Sequence, residues 1–338
     1  MNNVYTVILA GGVGERLWPL SGPTRPKQLI PFINNKSLLG YTLMRAQQLT
    51  PDADHRLVVT NEAIAPAVQE LVGDQAHLIV EPAVKNTAPA ILLACLQLVK
   101  TNPDAVVAIL PADHFIPDTQ TFIRSMEEAL FTAKSSDGVV LVGIKPTYPA
   151  TGYGYIQYST NKQVSTGFVV KRFCEKPDLQ KAELFASSED MLWNIGIVVA
   201  RAEIIIEECR VLQPALYKAM LAYLAGNGSY HAFEQISFDY AILEKTDRAL
   251  VIPATFTWSD VGSIAVFLSI QRQHQKQSAH VIQVDAMGNY VSTTKKVVAF
   301  VGVDNLCVVE TEDALLIVPA SHTEQVRQVV RELEAQTG

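Results

Sequence analysis

The chain has 338 residues, of which 49% are hydrophobic and 18% charged, and its formal net charge is −7. This composition is typical of a globular protein, and the length predicts a large domain followed by a smaller one. The negative charge leaves no basic surface for a nucleic acid, so we expect small phosphorylated ligands. The most apolar stretch, residues 88–99, is too short to span a bilayer, and the chain does not start like a signal peptide. We therefore expect a cytoplasmic protein with no membrane partner.

Short β-branched runs alternate with helical patterns through the first part of the chain. The predicted strands are Val4–Ala10, Arg56–Thr60, Leu78–Val80, Ala105–Leu110 and Val139–Ile144. The predicted helices are Leu38–Leu49, Ala63–Leu71, Ala88–Lys100 and Thr121–Lys134. The strands lack in-and-out alternation, as expected for strands buried on both faces. The pattern predicts an α/β domain with a doubly wound, mostly parallel sheet that binds ligands at the carboxyl ends of its strands.

The pattern changes after Glu244. Short strands are predicted at Val281–Val284, Tyr290–Ser292, Val297–Val301, Leu306–Val309 and Leu315–Val318. Ser321–Ala335 is predicted to form an amphipathic helix, whose apolar face carries Val326, Val329, Val330 and Leu333. We therefore predict two domains, residues 1–274 and residues 275–338, of which the second is a small β domain with a terminal helix.

A glycine-rich segment, LAGGVGER at residues 9–16, directly follows the first predicted strand. Its glycines let backbone N–H groups approach phosphate oxygens, although the segment matches neither the P-loop nor the dinucleotide fingerprint. A tight turn would explain the glycines alone. Gly22 and four prolines then keep residues 18–32 irregular, and a long irregular connection inside a compact domain is usually functional. Arg16 and Lys27, on this connection, could hold a triphosphate and stabilise the charge of a leaving pyrophosphate.

Two aspartates follow strand-like stretches. Asp113 lies in LPADH (residues 110–114) and Asp260 lies in TWSDVG (residues 257–262). Each could be only a turn former or a helix cap. Together with nucleotide phosphates they could complete a Mg²⁺ site, because this ion is usually held by one or two carboxylates and substrate oxygens.

A third set of residues suits a phosphorylated sugar. Lys176 could bind a phosphate, and Glu175 and Asn194 could bind sugar hydroxyls. Gly152, in TGYGY (residues 151–155), could let the sugar approach the backbone. Taken one at a time, these segments could equally be plain turns or strand edges.

Taken together, the segments resemble the mannose-1-phosphate guanylyltransferases, also called GDP-mannose pyrophosphorylases, in a short monofunctional form. The matching segments run in order over nearly the whole chain: ILAGGVGERLWPLS (8–21), RPKQL (25–29), EPAVKNTAPAI (81–91), LPADH (110–114), TGYGYI (151–156), FCEKPD (173–178), WNIGI (193–197), DYAILEKT (239–246) and FTWSDVGS (256–263).

The resemblance implies a nucleotide-diphospho-sugar transferase domain followed by a short left-handed β-helix-like tail. It implies that GMP passes from GTP to mannose 1-phosphate by Mg²⁺-dependent in-line displacement, giving GDP-mannose and pyrophosphate. The implied catalytic residues are Arg16, Lys27, Asp113 and Asp260, the two aspartates being the metal ligands. Gly11 and Gly12 are expected to bind the nucleotide, and Gly152, Glu175, Lys176 and Asn194 the sugar phosphate. Glu81, Asn86 and Thr87 are further candidates for the nucleotide, although Glu81 could equally be a solvated residue at a strand end, and Asn86 or Thr87 a cap of the following helix. A homodimer is expected.

The resemblance has departures, and alternatives stay open. Glu15, Lys85 and Phe238 stand where many members have Thr, Arg and Ile, and Lys cannot make the bidentate contacts of Arg. Longer relatives continue into an isomerase domain at the point where this sequence ends, so we expect no isomerase activity. The alternatives are a nucleotidyltransferase for another base or sugar, and a non-catalytic sugar-nucleotide sensor.

Overall fold

A computed structural model describes residues 3–12, 14–274, 280–293 and 297–337 of the chain. The chain divides into two compact units. The first comprises Met1–Gly11, Thr42–Ala112 and Ile116–Trp258, and the second comprises Gly12–Tyr41, Asp113–Phe115 and Ser259–Gly338. The domain boundary predicted from sequence, at residue 275, falls in residues 275–279, outside the described part of the chain, so that division stays a prediction.

The regular elements are numbered in chain order. The strands are β1 (Val4–Leu9), β2 (Pro31–Ile33), β3 (Lys36–Ser37), β4 (Arg56–Asn61), β5 (His77–Glu81), β6 (Val106–Pro111), β7 (Val139–Ile144), β8 (Gly154–Val164), β9 (Gly167–Cys174), β10 (Met191–Arg201), β11 (Ala249–Ala254), β12 (His280–Val284), β13 (Tyr290–Ser292), β14 (Val297–Val301), β15 (Leu306–Glu310) and β16 (Leu315–Pro319). The helices are α1 (Leu38–Leu49), α2 (Ala65–Val72), α3 (Thr87–Thr101), α4 (Thr119–Ser135), α5 (Leu179–Ser187), α6 (Ala202–Leu212), α7 (Pro214–Leu224), α8 (Ile264–His274) and α9 (Val326–Thr337).

The first unit is built on a mixed sheet with the strand order β5-β4-β1-β6-β10-β7-β11-β9-β8. Strands β5, β4, β1 and β6 run parallel, as do β7 and β11. Strand β10 lies antiparallel between β6 and β7, and β8 and β9 are antiparallel to each other. The α/β class is thus confirmed. No strand was predicted at Met191–Arg201, and an apolar run would not have given its direction, because strands buried on both faces look the same in either direction.

The buried helix α3 shows how the sequence places an element beside the sheet. Asn86 caps it in a left-handed conformation, with φ at 69°, and its Oδ1 accepts a hydrogen bond from the N–H of Thr87 at 2.9 Å. Pro89 lies in the first turn, where the missing N–H costs little. Most side chains of α3 are buried, so the helix packs into the core of the first unit.

The second unit has a separate apolar core that anchors the irregular segment after the glycines. Leu17, Ile30 and Phe32 of this segment are almost fully buried. They pack in one cluster with side chains of α8, β15 and β16. The segment itself forms two short 3-10 turns, Glu15–Leu17 and Lys27–Leu29, and a small β2–β3 hairpin. The connection is therefore irregular but packed.

Strands that are not consecutive in the chain pair in parallel near the C-terminus. Strand β12 pairs with β14 and β13 pairs with β15, whereas β15 and β16 form an antiparallel pair. Such pairing stacks successive turns of chain, as in a β-helix. The buried Asn289 joins the turns, because its side chain donates to the carbonyl of Val303 at 2.8 Å and accepts from the N–H of Leu306 at 2.8 Å.

The terminal helix differs in detail from its prediction. Residues Ala320–Gln325 form 3-10 turns, and the α-helix begins only at Val326. Of the predicted apolar face, Val326 is buried, but Val329 and Leu333 stay 37% and 40% exposed. Within the described ranges, no helix is long and apolar enough to cross a membrane.

Candidate functional site

Lys27 is the centre of a polar cluster in the second unit. It opens the 3-10 turn Lys27–Leu29 and is 8% exposed. Its Nζ donates to Oδ2 of Asp113 at 2.9 Å and to the backbone carbonyl of Asp260. Burial acts to raise the pKa of Asp113, but the adjacent Lys27 ammonium holds it below its ordinary value. Asp113 is therefore an ionised carboxylate. Lys27, Asp113 and Asp260, which the sequence analysis singled out, lie together.

Gly14 explains how the Lys27 side chain can be packed here. It has a left-handed backbone, with φ at +78°, and a Cβ atom built on it would lie 2.3 Å from the Cβ of Lys27. Ser21 fixes the same turn, because its hydroxyl donates to the carbonyl of Gly14 at 2.6 Å. Only glycine fits both the conformation and the close approach. Gly12, by contrast, has open space where a side chain would be.

The segments that carry Asp113 and Asp260 are joined by backbone hydrogen bonds. The N–H of Phe115 donates to the carbonyl of Ser259 at 2.9 Å, and the N–H of Ser259 donates back at 3.0 Å. Val261, two residues after Ser259, is fully buried and has a positive φ of 47°. A β-branched residue in this region is strained, and such strain persists only where the surroundings impose it. The aspartates are thus held by a rigid frame.

The oxygen chemistry of this cluster suits a hard divalent cation. Asp113 is ionised and its side chain is 38% exposed, and Oδ1 of Asp260 accepts from the N–H of Gly262 at 3.1 Å. Across the described residues, no group of three or more His, Cys, Asp or Glu side chains could hold a metal ion. Mg²⁺ does not need such a cage, since it is commonly bound by one or two carboxylates and substrate phosphates. The residues therefore fit the ion.

Arg16 lies on the 3-10 turn next to the glycines. Its Nε forms an ion pair with Oε2 of Glu324 at 2.8 Å. The buried Leu17 beside it anchors the turn in the core of the second unit. The arginine backbone is thus fixed, while its side chain is restrained by a residue near the C-terminus.

The proposed nucleotide-binding residues of the first unit include a buried acid. Glu81 is 5% exposed, and its Oε1 accepts a hydrogen bond from the hydroxyl of Tyr230 at 2.5 Å. Burial raises the pKa of Glu81 to about 7, against the opposing effect of the Tyr230 hydrogen bond. A Cβ atom built on Gly11 would lie 3.8 Å from Oε2 of Glu81, and the carbonyl of Gly11 accepts from the side chain of Asn61 at 3.1 Å. The structure therefore brings Gly11 and Glu81 together.

Sequence reasoning missed two partners of this group, Tyr230 and Asn61. Neither stands in a recognised motif, and Tyr230 is 149 positions from Glu81 in the chain. Of the other nucleotide candidates, Asn86 caps α3, and Thr87 accepts a hydrogen bond from the N–H of Phe238 at 2.8 Å. Both are therefore already engaged in holding the start of this helix.

The sugar-phosphate candidates form a second polar cluster in the first unit. The Glu175 side chain is 6% exposed and pairs with Nζ of Lys176 at 2.6 Å. A Cβ atom on Gly154 would come within 2.5 Å of Oε2 of Glu175 and 3.3 Å of the Cβ of Asn194. Gly152 instead lies in an exposed turn with open space around it. Gly154 makes room for the carboxylate, and the role of Gly152 toward the sugar stays a prediction.

Asn194 lies at an irregularity of β10, where the pairing register with β7 shifts between Asn194 and Val198. Gly196 there has a φ of +70°, and its N–H donates to Oδ1 of Asn194 at 3.1 Å. The other end of the amide donates from Nδ2 to Oδ1 of Asp239 at 2.7 Å. Strand irregularities of this kind re-aim side chains and are common beside active sites.

Asp239 belongs to the same cluster, and no sequence-based assignment included it, although it opens the matching segment DYAILEKT. It lies at the start of a π-helical turn, Asp239–Leu243, a feature frequent at functional sites. Burial, together with the nearby negative charge of Glu175, raises the pKa of Asp239 to about 6. Lys176 thus pairs with Glu175, and Asp239 with Asn194, so the cluster provides hydrogen-bond acceptors suited to hydroxyl groups.

Comparison with known proteins decides the family. Residues 5–277 match the nucleotidyl transferase family, and residues 279–333 match the mannose-phosphate isomerase/GMP-like β-helix domain. A mannose-1-phosphate guanylyltransferase of Salmonella montevideo is 34% identical, over 98% of this chain and 74% of that protein. The chain belongs to the mannose-1-phosphate guanylyltransferase family.

Other relatives and solved structures agree. The xanthan biosynthesis protein XanB of Xanthomonas campestris pv. campestris (strain B100) is 35% identical, over 99% of this chain and 74% of that protein. A crystal structure from Thermus thermophilus, described as a mannose-1-phosphate geranyltransferase, superposes with a TM-score of 0.88 at 32% identity, over 98% of this chain and 99% of that one. A UDP-glucose pyrophosphorylase, at 15% identity and a TM-score of 0.54, covers 80% of this chain and 97% of its own and shows the fold alone.

The raised pKa of Glu81 predicts a pH-dependent stability. Below pH 4.5, its ordinary value, the carboxyl is protonated in both states, whereas between pH 4.5 and 7 only the folded state holds the proton. Stability should therefore fall as the pH rises through this window. The Glu81→Gln variant cannot ionise at this position. Its free energy of unfolding should therefore exceed that of the wild type by about 1–3 kcal/mol at pH 8, and the two free energies should be similar at pH 4.5.

Urea unfolding at several pH values measures this difference. Glu70→Gln, on the exposed face of α2, is the matched control and should follow the wild type. Parallel pH profiles for the wild type and Glu81→Gln would contradict the buried, protonated state of Glu81.

Proposed function

We propose that this protein transfers GMP from GTP to α-D-mannose 1-phosphate and releases GDP-mannose and pyrophosphate. The observation that carries the proposal is the contact of Lys27 with both Asp113 and Asp260. A buried ammonium and an ionised carboxylate form the kind of group that phosphoryl-type transfer needs, since this chemistry depends on positioning and on charge neutralisation. Family membership supports the choice of a guanine nucleotide and mannose 1-phosphate, since the Salmonella relative is named a mannose-1-phosphate guanylyltransferase.

The nucleotidyl transferase family generally requires a divalent metal, and we propose Mg²⁺ for this chain. Asp113 and Asp260 would hold it. When bound there, the ion would neutralise charge on the phosphate oxygens. Lys27 would contact the triphosphate as a point charge, and Arg16 would use its planar donors on the same phosphates. Gly11 and Gly12 would let the backbone approach these phosphates, and Gly12 has open space beside it.

The cluster around Glu175 and Asn194 would bind mannose 1-phosphate. We assign the phosphate to Lys176, and the sugar hydroxyls to Glu175, Asn194 and Asp239. Hydroxyl groups donate to carboxylates, so a sugar hydroxyl fits beside Glu175 and Asp239 better than a second phosphate oxygen would. Gly152 stays a candidate for contact at the exposed turn.

Glu81 would recognise the guanine base of GTP. Guanine presents N1–H and an exocyclic amine side by side. With a pKa of about 7 the free carboxyl is partly protonated, and these two donors would favour its ionised form, which can accept from both. Adenine lacks this pair of donors, so a buried acceptor would be left without a partner. Asn86 and Thr87, at the start of α3, would contribute backbone and side-chain contacts to the same nucleotide.

The reaction needs no covalent intermediate on the protein. Mannose 1-phosphate carries its own anionic oxygen, which can attack the α-phosphorus of GTP directly. The side chains assigned here align the two anions and reduce their repulsion. We therefore infer a direct in-line displacement in a complex that holds both substrates.

Two finer features belong to the same proposal. We place the reaction in the cytoplasm, where GTP is available. We also infer a homodimer, supported by the exposed apolar side chains of the C-terminal strands, namely Val297, Val301, Leu315 and Ile317.

With Mg²⁺, GTP and mannose 1-phosphate, the purified protein should release pyrophosphate and form GDP-mannose. Lys27→Ala should lower kcat by about 10²–10³-fold, the usual effect of removing one stabilising donor. Asp113→Asn and Asp260→Asn should also reduce turnover far more than they reduce stability. The exposed Lys134→Ala, on α4, is the control and should retain full activity.

A panel of four nucleoside triphosphates and of mannose, glucose and N-acetylglucosamine 1-phosphates tests the substrate choice. Faster turnover with another pair would replace the proposed substrates. Exchange of labelled pyrophosphate into GTP without any sugar phosphate would indicate a nucleotidyl-enzyme and contradict direct transfer.

The sugar-phosphate assignment predicts separate effects on the two substrates. Lys176→Ala should raise the KM for mannose 1-phosphate about tenfold or more, because it removes a charge-assisted hydrogen bond, and should leave the KM for GTP nearly unchanged. Asp239→Asn should shift the same KM in the same direction. The control is Lys181→Ala, an exposed lysine of α5 paired with Asp178. Equal changes in both KM values would refute the assignment.

The base assignment predicts a loss of discrimination in Glu81→Gln. The ratio of GTP to ATP affinity should fall about tenfold or more, because an amide cannot accept from both guanine donors as a carboxylate can. Equilibrium binding of each nucleotide measures the ratio, with Glu70→Gln as the control. An unchanged ratio would locate the guanine acceptors elsewhere.

A further inference from the structure

The ion pair between Arg16 and Glu324 joins the glycine segment to the C-terminal end of the second unit. Arg16 lies on the turn Glu15–Leu17, and Glu324 lies on the 3-10 turns Ala320–Gln325 that connect β16 to α9. Nε of the arginine is 2.8 Å from Oε2 of the glutamate. The two side chains are 32% and 63% exposed. An ion pair this exposed contributes little to stability.

The backbone is fixed on both sides of this pair. Leu17, next to Arg16, and Val326, close to Glu324, are buried in the same apolar cluster. Thr323 is buried as well, and its hydroxyl donates to the carbonyl of Ala320 at 3.0 Å. Glu324 is therefore carried on a segment anchored before and after it. The contact joins two side chains whose starting points are both held in place.

The geometry leaves the arginine able to bind a second anion. A guanidinium carries five N–H donors in a plane. Nε of Arg16 is buried and lies against Glu324 in an ion pair without hydrogen-bond geometry, whereas the side chain as a whole is 32% exposed. The terminal nitrogens of an arginine can bind phosphate oxygens in a bidentate manner. A long side chain also loses rotamer freedom when it binds, and a restraint that already exists in the free protein reduces this loss.

We propose that Glu324 is a positioning residue for Arg16. It orients the guanidinium so that its terminal nitrogens face the nucleotide triphosphate before GTP binds. In this way the chain beyond the β-helix-like strands contributes to nucleotide binding without contacting the nucleotide. The inference rests on the proposed role of Arg16 toward GTP.

Glu324→Gln tests the proposal, because it keeps the size of the side chain and removes its charge. The affinity for GTP and kcat/KM for GTP should fall about three- to tenfold, the effect expected when one long side chain must be ordered on binding. The KM for mannose 1-phosphate should stay unchanged. The control, Glu332→Gln, removes the same charge from an exposed position of α9 and should behave as the wild type.

A double-mutant cycle separates positioning from a structural effect. If Glu324 acts through Arg16, then in an Arg16→Ala background Glu324→Gln should cause no further loss of GTP affinity. An equal loss in both backgrounds would overturn the proposal, and so would unchanged or tighter GTP binding in Glu324→Gln alone. Direct GTP binding needs no turnover. A wild type that binds GTP but forms no GDP-mannose would therefore refute the proposed function, and the cycle would still test Glu324.

Discussion

The contact of the Lys27 ammonium with Asp113 and Asp260 is the interaction on which the second unit is organised. A buried ammonium is costly unless it is paired, and here it has one carboxylate and one carbonyl as partners. Several local features serve this arrangement. Gly14 leaves space for the stem of the lysine, the Phe115–Ser259 backbone pair joins the aspartate segments, and Val261 keeps a strained conformation beside them. The strain persists because the apolar core behind it holds the chain in place.

The glycine-rich segment has more than one physical role. Gly12 has open space beside it, as a ligand-approaching backbone requires, and Gly11 lies at ordinary contact distance from Glu81. Gly14 is different, because its missing side chain is needed for packing within the protein. The segment therefore combines access for phosphate with support for the lysine that would act on that phosphate. A substitution at Gly14 would act on the chemistry through Lys27.

The two units offer different electrostatic surroundings. In the second unit, Lys27 and Arg16 supply the cationic donors, and these suit phosphate oxygens. In the first unit, Glu81 and Asp239 are buried acids with raised pKa values, to about 7 and about 6. Buried acceptors of this kind are costly without donors, and the N–H groups of a base or the hydroxyls of a sugar would supply them. In the proposed function these acids would serve the base and the sugar, and Lys176 beside them the phosphate of mannose 1-phosphate.

The sequence by itself determined the α/β class, the position of most strands and helices, and the family. Helix Leu38–Leu49 and strand Val139–Ile144 have the predicted bounds, because apolar periodicity and cap residues are local properties. It also singled out Lys27, Asp113 and Asp260, because their segments carry strong motifs. Only the tertiary structure decided which side chains meet. The partnership of Glu81 with Tyr230, the place of Asp239 beside Asn194, and the pairing of Arg16 with Glu324 join residues far apart in the chain. The antiparallel direction of β10 and the need for Gly154 were likewise invisible, since neither strand direction nor the space around a glycine is encoded by local pattern. They follow from how the chain folds back on itself.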